Sequence, residues 1–126
     1  MKRILVLDDE EMMRGILRKL LVSEGYDVME ASNAHTAHEI LKRENMDLVL
    51  LDIKMPDVSG SELYAIIEQF HRTLRVIVTS VYPLDVQRQI IPGACDYYDK
   101  AQGIDLLIAK IKRALIDGTI TYDRNE

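Results

Sequence analysis

Met46-Asp47-Leu48-Val49-Leu50-Leu51-Asp52 is the most apolar run in the chain, and it ends on an acid. A short continuous apolar run, without the alternation of a half-exposed strand, suits a strand buried on both faces. Such strands belong to parallel sheets covered by helices. The run predicts a central strand, with Asp52 at its C-terminal end. Outward from it the same pattern repeats. Lys2 to Leu7 reads as a buried strand ending at Asp8 and Asp9. Tyr26 to Ala31 reads as another, Leu74 to Thr79 as a fourth, and Ala94 to Tyr98 as a short fifth that Lys100 closes.

Helical patterns fill the gaps. Between Glu10 and Ser23, Met13, Ile16, Leu17, Leu20 and Leu21 have the spacing of one helix face, with Gly25 as a C-terminal stop. Asn33 is placed to cap a second helix running to about Glu44. Ser59 or Ser61 can cap a third, whose apolar positions are Leu63, Ile66, Ile67 and Phe70. A fourth runs from about Leu84 to Ile91, ahead of Pro92-Gly93. The last runs from Ile104 to Ile116, with Leu107, Ile108, Ile111 and Leu115 on its apolar face.

Strict βα alternation with short connections predicts an α/β fold: a doubly wound, five-stranded parallel sheet with helices on both faces. The natural order for five strands is the flavodoxin-like 2-1-3-4-5. It sets the ends of strands 1 and 3 side by side at the switch point, where ligands bind in such sheets. Asp8, Asp9, Asp52, Thr79 and Lys100 then share one edge. Taken singly, each has an ordinary explanation as a helix-capping acid, a turn residue, a β-branched strand end or a solvated charge. Together they put three carboxylates, a hydroxyl and an ammonium in one crevice. That set suits a divalent metal and a phosphoryl group. Mg²⁺ takes oxygen ligands, commonly one or two carboxylates plus phosphate oxygens. Asp9 and Asp52 can ligate it directly and Asp8 through a water. A carboxylate can also attack phosphorus to give an acyl phosphate, and Asp52, on the central strand, is the better nucleophile.

Composition narrows the classes. A chain of 126 residues, 48% hydrophobic and 29% charged, has the length of one domain. A formal charge of −5 argues against direct nucleic-acid binding or a membrane-surface role. One cysteine, Cys95, cannot form an intrachain disulfide and fits a reducing, cytoplasmic location; it reads as a small buried side chain. No stretch is apolar enough to span a bilayer. His35 and His38 fall on the exposed side of the second helix with no partner ligand.

Asp8-Asp9-Glu10, Asp52-Ile53-Lys54-Met55-Pro56 with Gly60, Val78-Thr79-Ser80, and Gly93-Ala94 with Tyr97 and Lys100 closely resemble the receiver domain of bacterial two-component response regulators. The resemblance runs from Arg3 to about Leu115. It implies a receiver domain over residues 1–118 and a tail or linker start over 119–126. It also implies a phosphorelay protein that accepts a phosphoryl group on Asp52 from a histidine kinase or a phosphotransfer protein. Mg²⁺ would be held by Asp9, Asp52 and the backbone carbonyl of Lys54, with Asp8 assisting. Thr79 and Lys100 would contact the phosphoryl group. Thr79 and Tyr97 would relay its arrival to the face built from helix 4, strand 5 and helix 5. Such a protein is a signalling receiver, not a turnover enzyme, and catalyses only its own phosphorylation and dephosphorylation. An effector domain or downstream target would read the output.

The resemblance has departures. Ala101 stands where many receivers have proline, so a trans peptide is expected after Lys100. Pro92 shortens helix 4, altering the output face. Asp96 and Lys110 match positions that pair across receiver homodimers of one subclass. Lys54 and Val81, two residues beyond Asp52 and Thr79, supply no general base, so slow self-dephosphorylation is expected. A haloacid-dehalogenase phosphatase needs a second Asp where Glu10 stands, and no cap domain fits this length. A flavodoxin would set Asp8-Asp9-Glu10-Glu11 against the flavin phosphate.

Overall fold

The computed structural model describes residues 1–53 and 60–116. Five strands and five helices alternate: β1 Arg3–Leu7, α1 Glu11–Ser23, β2 Asp27–Ala31, α2 Ala34–Arg43, β3 Leu48–Asp52, α3 Gly60–Phe70, β4 Arg75–Ser80, α4 Leu84–Ile90, β5 Asp96–Asp99 and α5 Ile104–Leu115. The strands form one parallel sheet in the order β2-β1-β3-β4-β5, as expected.

Strand side chains alternate between two cores. Leu5, Leu7, Val49, Leu51, Val76, Val78 and Tyr97 pack with α2, α3 and Ile91. Ile4, Val6, Leu48, Leu50, Ile77 and Tyr98 pack with α1 and α5. All five residues of β3 are buried, which is why its sequence is apolar without a break until Asp52.

Local signals hold at most helix ends. Asn33 caps α2, its side chain accepting from the Thr36 N–H at 2.8 Å. Gly25 takes φ 95° after α1 and donates to the Val22 carbonyl, so the chain turns directly into β2. Gly60 opens α3 against the sheet. A Cβ there would lie 2.8 Å from the Ile53 Cα and 3.0 Å from the Asp52 carbonyl oxygen, closer than any side chain permits.

Several sequence expectations need correction. Ser61 lies inside α3 and is not its cap; Ser59 lies outside the described residues. Phe70 and Ile16 are exposed although both fit apolar helix faces. Periodicity gives the apolar side of a helix and not which of its residues the sheet and the neighbouring helices cover; Ile16 instead lines a cleft. Cys95 is half-buried at the margin of the α1–α5 core. Met46 and Leu74 precede their strands and pack from the side as half-buried residues. Residues 117–126, including the expected tail, lie outside the described residues.

Candidate functional site

The C-terminal edge of the sheet brings together what its strand ends carry. Asp8 follows β1, Asp52 ends β3, and Lys100 follows β5. Thr79 pairs in register with Asp52 on one side and with Tyr98 on the other. One carboxylate oxygen each from Asp8, Asp9 and Asp52 lies within 4.8 Å of the others. Asp8 and Asp52 are buried, and Asp9 is exposed at the mouth.

Lys100 closes the cluster. Its Nζ donates to Asp8 Oδ2 at 2.7 Å and to Asp52 Oδ2 at 3.2 Å, with Glu10 Oε1 at 3.9 Å. Burial pushes the ammonium down, but the Asp8 hydrogen bond and the Asp52 and Asp8 charges outweigh it, so its pKa is raised and it stays charged. Two buried carboxylates sharing one ammonium are an ion triad whose net charge favours a further cation. The other Asp8 oxygen accepts from the Glu10 N–H at 2.9 Å. This local turn fixes the carboxylate before any ligand arrives.

Hard oxygen donors at this separation fit Mg²⁺ and are a poor set for soft metals. The Lys54 carbonyl, expected to be a further ligand, lies outside the described residues. An open cleft of about 270 Å³ adjoins the cluster, lined by Asp8, Thr79 and Lys100 at one end and by Met13, Ile16 and Leu107 at the other.

Tyr97 stands apart. Strand alternation puts it on the α2–α3 face, whereas Thr79 shares the face of Ile77 and Tyr98. Its hydroxyl donates to the Ile91 carbonyl and accepts from the Ala94 N–H at 3.1 Å, so the ring anchors the α4–β5 turn. The Arg88 guanidinium lies 5.0 Å from the ring centroid. Asp96 and Lys110 pair with each other within the chain at 3.2 Å, and Lys110 also donates to the Tyr97 carbonyl at 2.6 Å.

Two residues beside the site escape a sequence reading. Gln87, in the seven-residue α4, is wholly buried. Its Nε2 donates to the carbonyls of Tyr82 and Tyr98 at 2.8 and 3.0 Å. Its Oε1 has no hydrogen-bond partner among the described residues. Ser80, also fully buried, accepts from the Tyr82 N–H at 3.1 Å. A glutamine on a short helix reads as a surface residue. Only the fold of α4 over β5 turns it inward.

Comparison with known proteins gives the family. The family model described as "Response regulator receiver domain" matches residues 4–112. Sporulation initiation phosphotransferase F of Bacillus subtilis is 33% identical over 116 residues, covering 90% of this chain and 94% of that protein. The response regulator TrrA of Thermotoga maritima, crystallised in complex with Mg²⁺-BeF, superimposes with a TM-score of 0.84 at 36% identity, covering 91% of this chain and all of that one. A crystal structure of histidine kinase ThkA in complex with TrrA contains a chain matching at TM-score 0.80 and 35% identity, over 92% of this chain and 100% of that one. Several other similar proteins are transcriptional regulators of which the chain spans half the length or less, among them CpxR of Escherichia coli at 50%. No helix among the described residues is long and apolar enough to cross a membrane.

Proposed function

The chain belongs to the response regulator receiver domain family, and from that premise we propose that it accepts a phosphoryl group on Asp52 in a Mg²⁺-dependent phosphorelay. The observation that carries this reading is the buried Asp52 carboxylate beside Lys100, within 4.8 Å of the Asp8 and Asp9 oxygens. The donor is a histidine kinase or a phosphotransfer protein. The ThkA–TrrA complex supports the first kind, and the TrrA complex with Mg²⁺-BeF supports the metal.

In the proposed reaction an Asp52 oxygen attacks the phosphorus of a phosphohistidine. The P–O bond forms as the P–N bond breaks, and the imidazole leaves with the electron pair. Asp9, Asp52 and the Lys54 carbonyl, with Asp8 assisting, would hold Mg²⁺, which when bound would neutralise charge on the phosphoryl oxygens. Lys100 then exchanges part of its contact with Asp52 for a phosphoryl oxygen, keeping its bond to Asp8. Thr79, one strand away in register, donates its hydroxyl to another. That movement draws on the segment from Ser80 to Tyr82 and so on α4 and Tyr97, changing the α4–β5–α5 face that an effector domain or target protein reads. On this reading residues 1–118 are the receiver domain and 119–126 a tail or the start of a linker. A homodimer through Asp96 and Lys110 requires opening their intrachain pair. Val81 is exposed beside the site and offers no group to orient a water, in keeping with a long-lived phosphoryl group.

Acetyl phosphate with Mg²⁺, followed by intact mass, tests the central step. The wild type gains one phosphoryl group and Asp52→Asn gains none. An equal adduct on Asp52→Asn removes the assignment.

A further inference from the structure

Arg14 holds the backbone that carries two acids of the cluster. It lies in α1 with its side chain only 16% exposed. Its Nη1 donates to the Asp8 carbonyl oxygen at 2.8 Å. Its Nε donates to Glu30 Oε1 at 3.3 Å, and Glu30 Oε2 takes a second bond from Arg18 Nη1 at 2.9 Å. The Asp8 N–H meanwhile donates to the Ala31 carbonyl at 3.2 Å. Asp8 is therefore gripped at both backbone groups, from β2 through Ala31 and from α1 through Arg14.

The Asp8 carbonyl belongs to the peptide unit joining Asp8 to Asp9. The plane of that peptide, with the Asp9 φ, sets the direction in which the Asp9 side chain leaves the backbone. Asp9 is exposed, so little packing restrains its carboxylate otherwise. An unrestrained peptide there would let the Asp9 oxygens spread over a wider range than a small, geometrically demanding ion accepts. A guanidinium suits the task because its planar fork serves two acceptors in fixed directions at once. Glu30 has a second use. A bare cation this near the acids would repel a divalent ion, and the Glu30 carboxylate neutralises it.

We propose that Arg14, oriented and neutralised by Glu30, is a positioning residue for the metal site, setting Mg²⁺ affinity through the Asp8–Asp9 peptide. This rests on the Mg²⁺ reading of the acid cluster given above. A pure charge effect predicts the opposite sign, because deleting a nearby cation should tighten Mg²⁺.

Calorimetric titration of the unphosphorylated full chain with MgCl₂ separates these readings, alongside melting temperatures in EDTA. Arg14→Gln should weaken Mg²⁺ about 10-fold, the low end for residues that orient metal ligands from behind. Arg14→Lys, which cannot serve both acceptors, should recover only part of that. Arg18→Gln removes a half-exposed partner of Glu30 alone and should stay within about twofold. Unchanged or tighter binding by Arg14→Gln overturns the proposal. Should that variant not fold, Arg14→Lys, which keeps the charge, carries the test: it should weaken Mg²⁺ a few-fold, and wild-type affinity there overturns the proposal. No Mg²⁺ binding by the wild type at millimolar concentration would overturn the metal reading itself, a distinguishable failure.

Discussion

The two halves of the site edge are held in different ways. Around β1 and α1, Asp8 has a partner at each backbone group and at each carboxylate oxygen: Ala31, Arg14, the Glu10 N–H and Lys100. Around β4 and α4, Gln87 ties the Tyr82 and Tyr98 carbonyls together but leaves its own carbonyl without a partner among the described residues. A buried acceptor without a donor costs about 1–3 kcal/mol. Asp8, in the half that presents metal ligands, is thus bonded at every polar group and fixed in advance, which favours geometric selectivity. The half proposed to move retains an unmet hydrogen bond, which narrows the gap between its resting arrangement and any other that supplies a donor. Bistable elements are drawn from such less stable regions.

The strongest way to break the acid half is to remove its shared cation. Lys100→Met leaves Asp8 and Asp52, each with a side chain only 2% exposed, as buried like charges without their shared cation. Stability in EDTA at neutral pH should fall by about 3 kcal/mol, in the range for breaking a buried ion pair, as read by urea unfolding. Millimolar Mg²⁺ should restore much of that loss, since a second cation then takes the vacated role. A variant as stable as wild type in EDTA would mean that the carboxylates are not held as a charged cluster.

Gln87→Leu sharpens the contrast from the other side. It removes the amide's bonds to two carbonyls but also deletes the unmet acceptor, so the net cost should be only about 1–2 kcal/mol. Hydrogen exchange should quicken at α4 while Mg²⁺ affinity stays at the wild-type value. A shift in Mg²⁺ affinity would show the halves to be rigidly coupled.

The smallest effect lies at high pH. Burial first, then the Glu68 and Tyr97 charges, push the Tyr64 hydroxyl up to about 12, and the Lys100 ammonium is also raised. Both groups hold their protons more tightly folded than unfolded. The stability they supply is complete below pH 10, the ordinary tyrosine value, and is lost as pH climbs through the folded values. Melting temperature should therefore decline between pH 10 and 12, with Tyr64→Phe showing the shallower decline. Equal slopes would remove Tyr64 as a contributor.

Much of the fold was legible because its determinants are local. The unbroken apolar run from Leu48 to Leu51 reports burial on both faces, Asn33 and Gly25 mark helix ends, and strict βα alternation admits few sheets. The candidate site was legible for a related reason. Parallel strands deliver their C-terminal residues to one edge, so Asp8, Asp52, Thr79 and Lys100 had to gather once the order of strands was right. Phe70 and Ile16 were misread because a helical period says which side is apolar and not which of its residues neighbouring elements cover. Tyr97 was placed in the right strand, but its hydroxyl bonds in the α4–β5 turn depend on how that turn closes.

What the sequence by itself determined was the alternation, the acids and cation at strand ends, and the receiver resemblance, all carried by residue type and spacing. Only the tertiary structure decided that Arg14 meets the Asp8 carbonyl and Glu30, that Gln87 turns inward against β5, and that Asp96 pairs with Lys110 inside the chain. These contacts join residues from different elements. Whether two polar side chains meet across a sheet edge depends on twist, register and helix placement to within an ångström. No pattern of residue types along a chain encodes distances that fine.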